Sequence, residues 1–363
     1  MLKEIGSTFW LSPQEIGLLG RKSLKNPNIL NAQESYVSTC RSAIGLCLDV
    51  LCEERKVALL PAFTCESVLG PFLKRGYKVF PYSIRRDLTI SWEQFKNEVE
   101  KVKPSVVLTH PYFGFNTTEE LRPIDELRIK NGIFFIEDMT QSMFSKFKPL
   151  PSNFHVGSIR KWMPVPDGAF TTVSFHGKEE DDELVKAKVK ALLEKGDYLL
   201  NSRGDKETFR DDFAKAELIL DSREKPYLMS SVSRQLYAET DIKEMIDTRW
   251  KNYYYLQNHI LDDELLAPQF EAVLPPIEVE GDVCPFHFPV LVKEGRKELQ
   301  QYLAKNDIYA TVIWKCPEEF ENIINADAQY VYNHILCFHV DQRYVLDDMK
   351  RIVTTLNEYY KIN

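Results

Sequence analysis

Ile133-Phe134-Phe135-Ile136-Glu137-Asp138-Met139-Thr140-Gln141-Ser142 is an apolar run that breaks into two carboxylates. A buried strand of a parallel sheet reads this way when it delivers an acid to its carboxyl edge, and ligands of open α/β sheets bind at that edge. Further on, Val156-Gly157-Ser158-Ile159-Arg160-Lys161-Trp162 sets one lysine among small, basic and aromatic residues. The turn Pro164-Val165-Pro166-Asp167-Gly168 then pins the backbone.

A lysine on a stiff loop and a buried acid suit one cofactor. Pyridoxal phosphate is carried as a Schiff base on a lysine, and a carboxylate on its pyridine nitrogen lets the ring act as an electron sink. The residues therefore point to Lys161 for the Schiff base and Asp138 for the pyridine nitrogen. The plainer alternative is an aspartate that caps the next helix and an Arg-Lys pair that is solvated surface.

Working outward, the chain before this stretch repeats a strand-helix rhythm. The spacing predicts a strand over 57–60 closed by Pro61, a helix ending near Gly76, a strand over 77–81 and a helix over 92–101. A strand over 105–110 and a helix over 124–130 follow. Right-handed connections would bring Phe63-Thr64, Ser83, His110-Pro111-Tyr112 and Asp138 to one edge. Upstream, Ser38-Thr39-Cys40-Arg41-Ser42 opens a helix whose apolar face is Ile44, Cys47, Leu48 and Leu51. That helix start is a phosphate site or an ordinary Ser/Thr cap. Gly6-Ser7-Thr8-Phe9-Trp10 is a surface arm or part of a pocket wall.

After Lys161, residues 169–175 read as β-strand. The run Glu179-Glu180-Asp181-Asp182-Glu183 opens a solvated helix, not a metal site, with Lys186, Lys188, Lys190 and Lys195 as its later charges and Gly196 as its stop. Phe209, Phe213, Ala216 and Leu220 form one helical stripe. A long helix is expected from Met229 through Tyr255. Beyond it the pattern is α+β: strands over 286–292, 310–314 and 335–340, and helices over 296–306 and 345–360. The domain boundary falls between 225 and 260, giving a large domain over 1–235 and a smaller one over 236–363.

The formal charge of −8 and the lack of clustered Lys and Arg argue against a nucleic-acid surface. No stretch is apolar and long enough to cross a bilayer, and the N-terminus lacks the apolar core of a signal peptide, so a cytoplasmic location is expected. The seven cysteines show no Cys-x-x-Cys spacing, which suggests neither a disulfide framework nor a zinc site and makes most of them small buried residues, with Cys40 and Cys65 as exceptions because of where they fall.

The order of these pieces resembles the fold-type I pyridoxal-phosphate enzymes, and among them the DegT/StrS-like sugar aminotransferases. The resemblance rests on the loop at 38–43, Pro61-Ala62-Phe63-Thr64, the His110 strand end, Glu137-Asp138-Met139-Thr140-Gln141-Ser142, Ser158 with Lys161 before a glycine turn, and Phe288-Pro289-Val290 with 308–314. It implies an α/β, aspartate aminotransferase-like fold with a mostly parallel sheet in the large domain. It further implies a homodimer with shared sites and transfer of an amino group from a donor such as glutamate to a nucleotide-linked keto-sugar. Carried over, Lys161 and Asp138 are catalytic. Cys40, Arg41 and Ser42 receive the phosphate, and Gln141 contacts the ring. Thr64, Cys65, His110 and Ser158 complete the cofactor site, with Ser230 from the segment that reaches the other subunit. Trp10, Tyr112 and Trp314 are candidates for substrate contact. The chain has Cys40-Arg41-Ser42 where the family has a Gly-Thr-Ala type loop, Cys65 at the usual aromatic, and Asp167-Gly168-Ala169 at the Gly-Glu-Gly-Gly turn. Another pyridoxal-phosphate reaction, a lyase or dehydratase, or a non-catalytic relative are the alternatives these departures leave open.

Overall fold

The carboxylate-ended run forms the strand Phe134–Asp138, buried from Phe135 onward. Its neighbours, in order, are Val106–Thr109, Val57–Pro61 and Lys78–Tyr82, all parallel. Parallel pairing needs crossovers, and the helices Glu66–Leu73, Trp92–Val102 and Ile124–Asn131 supply them. Ser91 caps the second of these by accepting the Gln94 N–H, and Phe95 and Val99 are its buried face; burying two such side chains favours the packed helix by about 1.5–3 kcal/mol each. The structure, a computed structural model, describes residues 4–12, 15, 17, 29–223, 225–278 and 282–362.

These strands belong to the first of two compact units, made of Met1–Ser7, Glu53–Asn153 and Ile242–Asn363. The same unit holds an antiparallel sheet ordered Ile335–Phe338, Phe288–Val292, Phe270–Ala272. The strand expected over 310–314 is not formed. Ile308–Tyr309 pairs instead with Ile5–Gly6 of the N-terminal arm. Thr311 exchanges both backbone bonds with Cys337 at 2.9 Å, after which the chain leaves the sheet and carries Trp314 to an aromatic cluster. The strand Phe270–Ala272 and the helix Ala326–His334 had no clear periodic signal.

The second unit comprises Thr8–Cys52 and Phe154–Asp241. Ala169–Thr171 lies between Ser35–Val37 and Phe154–Ser158, antiparallel to both. The strand is shorter than expected because the Val173 N–H turns back to the Thr171 hydroxyl. The helix Asp182–Asn201 runs through Gly196 rather than stopping there. Gly196 serves a close approach: a Cβ at this position would lie 2.0 Å from the Leu11 carbonyl oxygen, and the Leu11 N–H bonds the Leu192 carbonyl. The arm thus has Trp10 and Leu11 buried. The acidic run is used in ion pairs, Glu179 with Lys225, Glu180 with Arg234, and Asp181 and Glu183 with Arg223, and no cluster suited to a metal exists among the described residues.

The long helix expected over 229–255 is two helices, Ser231–Glu239 and Ile242–Ile260. Thr240 is extended, its hydroxyl bonded to the Leu236 carbonyl, and the two units meet in sequence at 241/242. A division at 235/236 follows chain order, whereas the units group the segment Glu53–Asn153 with the C-terminal half. Setting aside Cys40 and Cys65, three of the other five cysteines, Cys47, Cys284 and Cys337, are buried, while Cys316 is half-buried and Cys52 exposed. No helix among the described residues is long and apolar enough to cross a membrane.

Candidate active site

In the first unit, the carboxyl ends of the parallel strands supply the polar groups. Adjacent strand residues face opposite ways: Glu137 accepts the Leu150 N–H, while Asp138 turns to accept the Thr140 N–H at 2.9 Å. Asp138 is 5% exposed. Gln141 commits its carbonyl oxygen to the Phe113 N–H at 2.8 Å, which leaves its NH₂ as the end it can offer a ligand. His110, at the end of Val106–Thr109, places Nε2 3.1 Å from the Thr64 hydroxyl. Its ring meets Tyr112 and Trp314 edge-on at 4.5 and 5.7 Å. Burial pushes the His110 imidazole down to about 3, so it is neutral. Phe63 packs on Trp314 and Tyr332 at 4.9 and 4.8 Å, and the Tyr332 hydroxyl bonds both the N–H and the carbonyl of Thr64. Cys65 lies beside the Ser67 hydroxyl at 3.0 Å. Ser83 is turned to Glu98, its hydroxyl donating at 2.6 Å, and takes no part in this group.

In the second unit, the strand Phe154–Ser158 ends in a three-residue turn, Ile159–Lys161. The Ile159 N–H bonds the Gly168 carbonyl, and the Gly168 N–H bonds the Ser38 carbonyl. Gly168 has a φ of +128° with Met229 against it, a conformation that favours glycine. Trp162 is fully buried and Lys161 is exposed. The loop is held at Asp167, whose carboxylate accepts from the Ser230 hydroxyl at 2.6 Å, the Ser230 N–H and the Ser233 hydroxyl. Burial raises the Asp167 carboxyl above its ordinary range, against the pull of the two serines. Ser230 also caps Ser231–Glu239, so its hydroxyl serves the loop and the helix of its own chain. At the helix Cys40–Leu51, Thr39 is the cap and accepts the Ser42 N–H at 3.1 Å. Arg41 is ion-paired with Asp221.

The sequence-derived residues therefore separate by unit. Thr64, Cys65, His110, Asp138 and Gln141 are in the first, and Cys40, Arg41, Ser42, Ser158, Lys161 and Ser230 in the second. Three charged or polar residues of these surroundings were not among them. Tyr332 anchors Thr64. Lys188 and Glu217 form an ion pair that also draws in Arg160. Lys188, in the sequence one of the later charges of this helix, shares a buried stripe with Ala191, Leu192 and Lys195, a helical spacing that is visible in the sequence.

No family model matches the chain, and no curated protein matches it. Solved structures do. Helicobacter pylori PseC, an aminotransferase involved in the biosynthesis of pseudoaminic acid, is 14% identical, with a TM-score of 0.70 over 99% of this chain and 100% of that one. A DegT DnrJ EryC1 StrS aminotransferase from Brucella abortus is 12% identical, with a TM-score of 0.63 over 97% and 91%. GDP-4-keto-6-deoxymannose-3-dehydratase (ColD), solved with bound GDP-perosamine, is 16% identical, with a TM-score of 0.65 over 98% and 100%. The chain has the fold these structures share, the α/β, aspartate aminotransferase-like arrangement expected from its sequence.

Proposed function

We propose that the protein is a pyridoxal-phosphate-dependent aminotransferase that moves an amino group from a donor such as glutamate to a nucleotide-linked keto-sugar. The observation that carries this reading is the presence, on this fold, of a buried carboxylate at the end of Phe134–Asp138 and a lysine on the turn after Phe154–Ser158. The residues fit the cofactor in kind. Asp138 offers an anionic acceptor for a pyridine N–H, oriented by its bond from Thr140. The first turn of Cys40–Leu51 has N–H groups that no helix satisfies internally and that suit a phosphate. The Gln141 NH₂ can donate to a ring oxygen.

When bound, pyridoxal phosphate supplies an electron sink for bond breaking at the amine-bearing carbon of the substrate. Lys161 takes the proton from that carbon and returns it, as general base and then acid. Asp138 keeps the pyridine nitrogen protonated, because an adjacent carboxylate favours the cationic form. His110, Tyr112 and Trp314 form an apolar wall that carries no charge of its own. The reading extends to a homodimer with shared sites, in the cytoplasm, with residues 1–235 as the cofactor-binding part and 236–363 as the smaller domain; light scattering tests the dimer.

The match to ColD favours a dehydratase as the second reading, which nitrogen-labelled glutamate separates from the first: label delivered to a keto acceptor supports the transferase. The test of the shared premise is the visible spectrum of the protein with added pyridoxal phosphate, before and after borohydride. A band lost on reduction, with the pyridoxyl group mapped to Lys161, is expected. A protein that takes up no cofactor would overturn both readings.

A further inference from the structure

Ala169 opens the middle strand of the second unit and stands in register with Val37 on one side and Ser158 on the other. Two segments therefore leave the sheet at one level: the lead Ser38-Thr39 into the helix Cys40–Leu51, and the turn Ile159–Lys161. Gly168 bridges them. Its N–H donates to the Ser38 carbonyl at 2.7 Å, and its carbonyl accepts the Ile159 N–H at 3.1 Å and the Arg160 N–H at 3.4 Å. Glycine adopts the φ of +128° found there freely, but nothing in a glycine holds that backbone in place. The preceding residue can. Asp167 is fully buried; Oδ1 accepts the Ser230 hydroxyl at 2.6 Å and the Ser233 hydroxyl, and Oδ2 accepts the Ser230 N–H at 3.0 Å. Its own N–H donates to the Ser233 hydroxyl at 3.3 Å. Three donors converge on the carboxylate, which suits a side chain that only accepts. The helix Ser231–Glu239 is already capped by the Ser230 hydroxyl, so burying a carboxylate there, which carries a desolvation cost, supplies something the helix does not need: an anchor for the residue before Gly168.

We propose that Asp167 is a positioning residue that sets the spacing between the first turn of Cys40–Leu51 and the turn Ile159–Lys161, acting through the backbone of Gly168. The sheet brings the two segments side by side, and the bonds of Asp167 fix where each stops relative to the other. Its side chain bonds Ser230 and Ser233 alone among the described residues, so it acts by placement. The consequence for chemistry rests on the function proposed above, in which the helix start takes the phosphate of the cofactor and Lys161 its aldehyde carbon. A ligand held at two points gains from the second only when the spacing of the two sites matches its own length.

The experiment compares pyridoxal phosphate with pyridoxal, which lacks the phosphate, on the full chain freed of any cofactor by hydroxylamine. Borohydride trapping with peptide mass spectrometry reads the fraction of Lys161 occupied at each concentration. Asp167→Asn keeps the volume but replaces one acceptor by a donor, and Ser233→Ala removes one of the bonds; either variant suffices if the other folds poorly. The preference of Lys161 for pyridoxal phosphate over pyridoxal should fall by on the order of tenfold in Asp167→Asn and by less in Ser233→Ala, with pyridoxal itself bound as in the parent. An unchanged preference, or equal losses for both ligands, would overturn the proposal, since general loosening of the fold has no reason to single out the phosphate. The tie is also read without cofactor: amide hydrogen exchange should quicken together in peptides covering 38–43 and 157–168. Exchange that quickens in neither, or only in Ser231–Glu239, would make Asp167 part of that helix's cap and overturn the proposal as well. A parent with no pyridoxyl group on Lys161 from either ligand would sink the function proposed above, and the exchange result would then decide the spacing by itself.

Discussion

Around Arg160, the neighbour of Lys161 in its turn, the polar groups are charged and compensate each other; around His110 they are neutral and packed on aromatic rings. In the first setting Glu217 gathers Arg160 and Lys188 and is held ionised down to about pH 2. In the second, burial among Tyr112, Trp314 and Phe63 removes the proton from His110 down to about pH 3. Both outcomes follow from desolvation, which disfavours any charge without a partner. Where an opposite charge is supplied the charge survives, and where only rings and the Thr64 hydroxyl are supplied the group gives it up. On the function proposed above, the difference also divides the chemistry, with the proton-moving amine assigned to the charged region and an uncharged wall to the other.

The largest effect expected is at the charged region. Lys161→Ala should lower turnover by at least about 10⁴-fold, the order of loss seen when a covalent catalytic group is removed. Circular dichroism and thermal midpoint should stay near those of the parent, because the side chain is exposed on a three-residue turn. Multiple-turnover activity in this variant would break the comparison at its premise.

The neutral region predicts a dependence on pH. Unfolded, His110 takes up a proton near pH 6.5; folded, it does so only at about 3. Its folded value is depressed, so the stability it permits is fully present above about pH 6.5 and is lost as pH falls toward 3, by about 1.4 kcal/mol per pH unit. Between pH 6.5 and 5 this residue should cost the protein about 2 kcal/mol. Urea midpoints at pH 7 and pH 5 for the parent and His110→Phe measure it. The variant should lose less stability on acidification, and equal losses would mean that His110 is not held neutral.

The two regions were unequally legible in the sequence. Strand ends show because parallel strands buried on both faces read as apolar runs that stop at a polar residue, which is how Thr64, His110 and Asp138 were found. Lys188 and Glu217 were missed because a buried helical lysine has the same local sequence as a solvated one, and only its place in the stripe with Ala191, Leu192 and Lys195 separates them. Tyr332 was missed with its helix, where Ala328, Val331 and Tyr332 are the only buried positions. Gly196 read as a stop because its use, approach to Leu11, depends on a segment remote in sequence. Arg41 and Ser230 read as cofactor contacts, and the structure gives each a partner within its own unit, Asp221 and Asp167.

That last pairing allows the smallest and most local test. Asp167 is a buried carboxylate with no cation paired to it among the described residues, held by hydroxyl and N–H donors from Ser230 and Ser233, so it stands between the two regions in kind. Removing one donor should be felt twice, as a lost helix cap and as a carboxylate with one fewer bond. Ser230→Ala should therefore destabilise the protein by about 1–2 kcal/mol, near the upper end for a cap alone. Burial already raises the Asp167 carboxyl, and with Ser230 gone it should rise further. A carboxyl raised in the fold is protonated there before it is in the unfolded chain, so its cost is absent at low pH and grows as pH climbs through its folded value. The deficit of Ser230→Ala in urea midpoint should thus narrow toward acid pH. A deficit that is the same at pH 4 and pH 7 would make Ser230 a cap and nothing more, its bond to Asp167 adding no stability of its own.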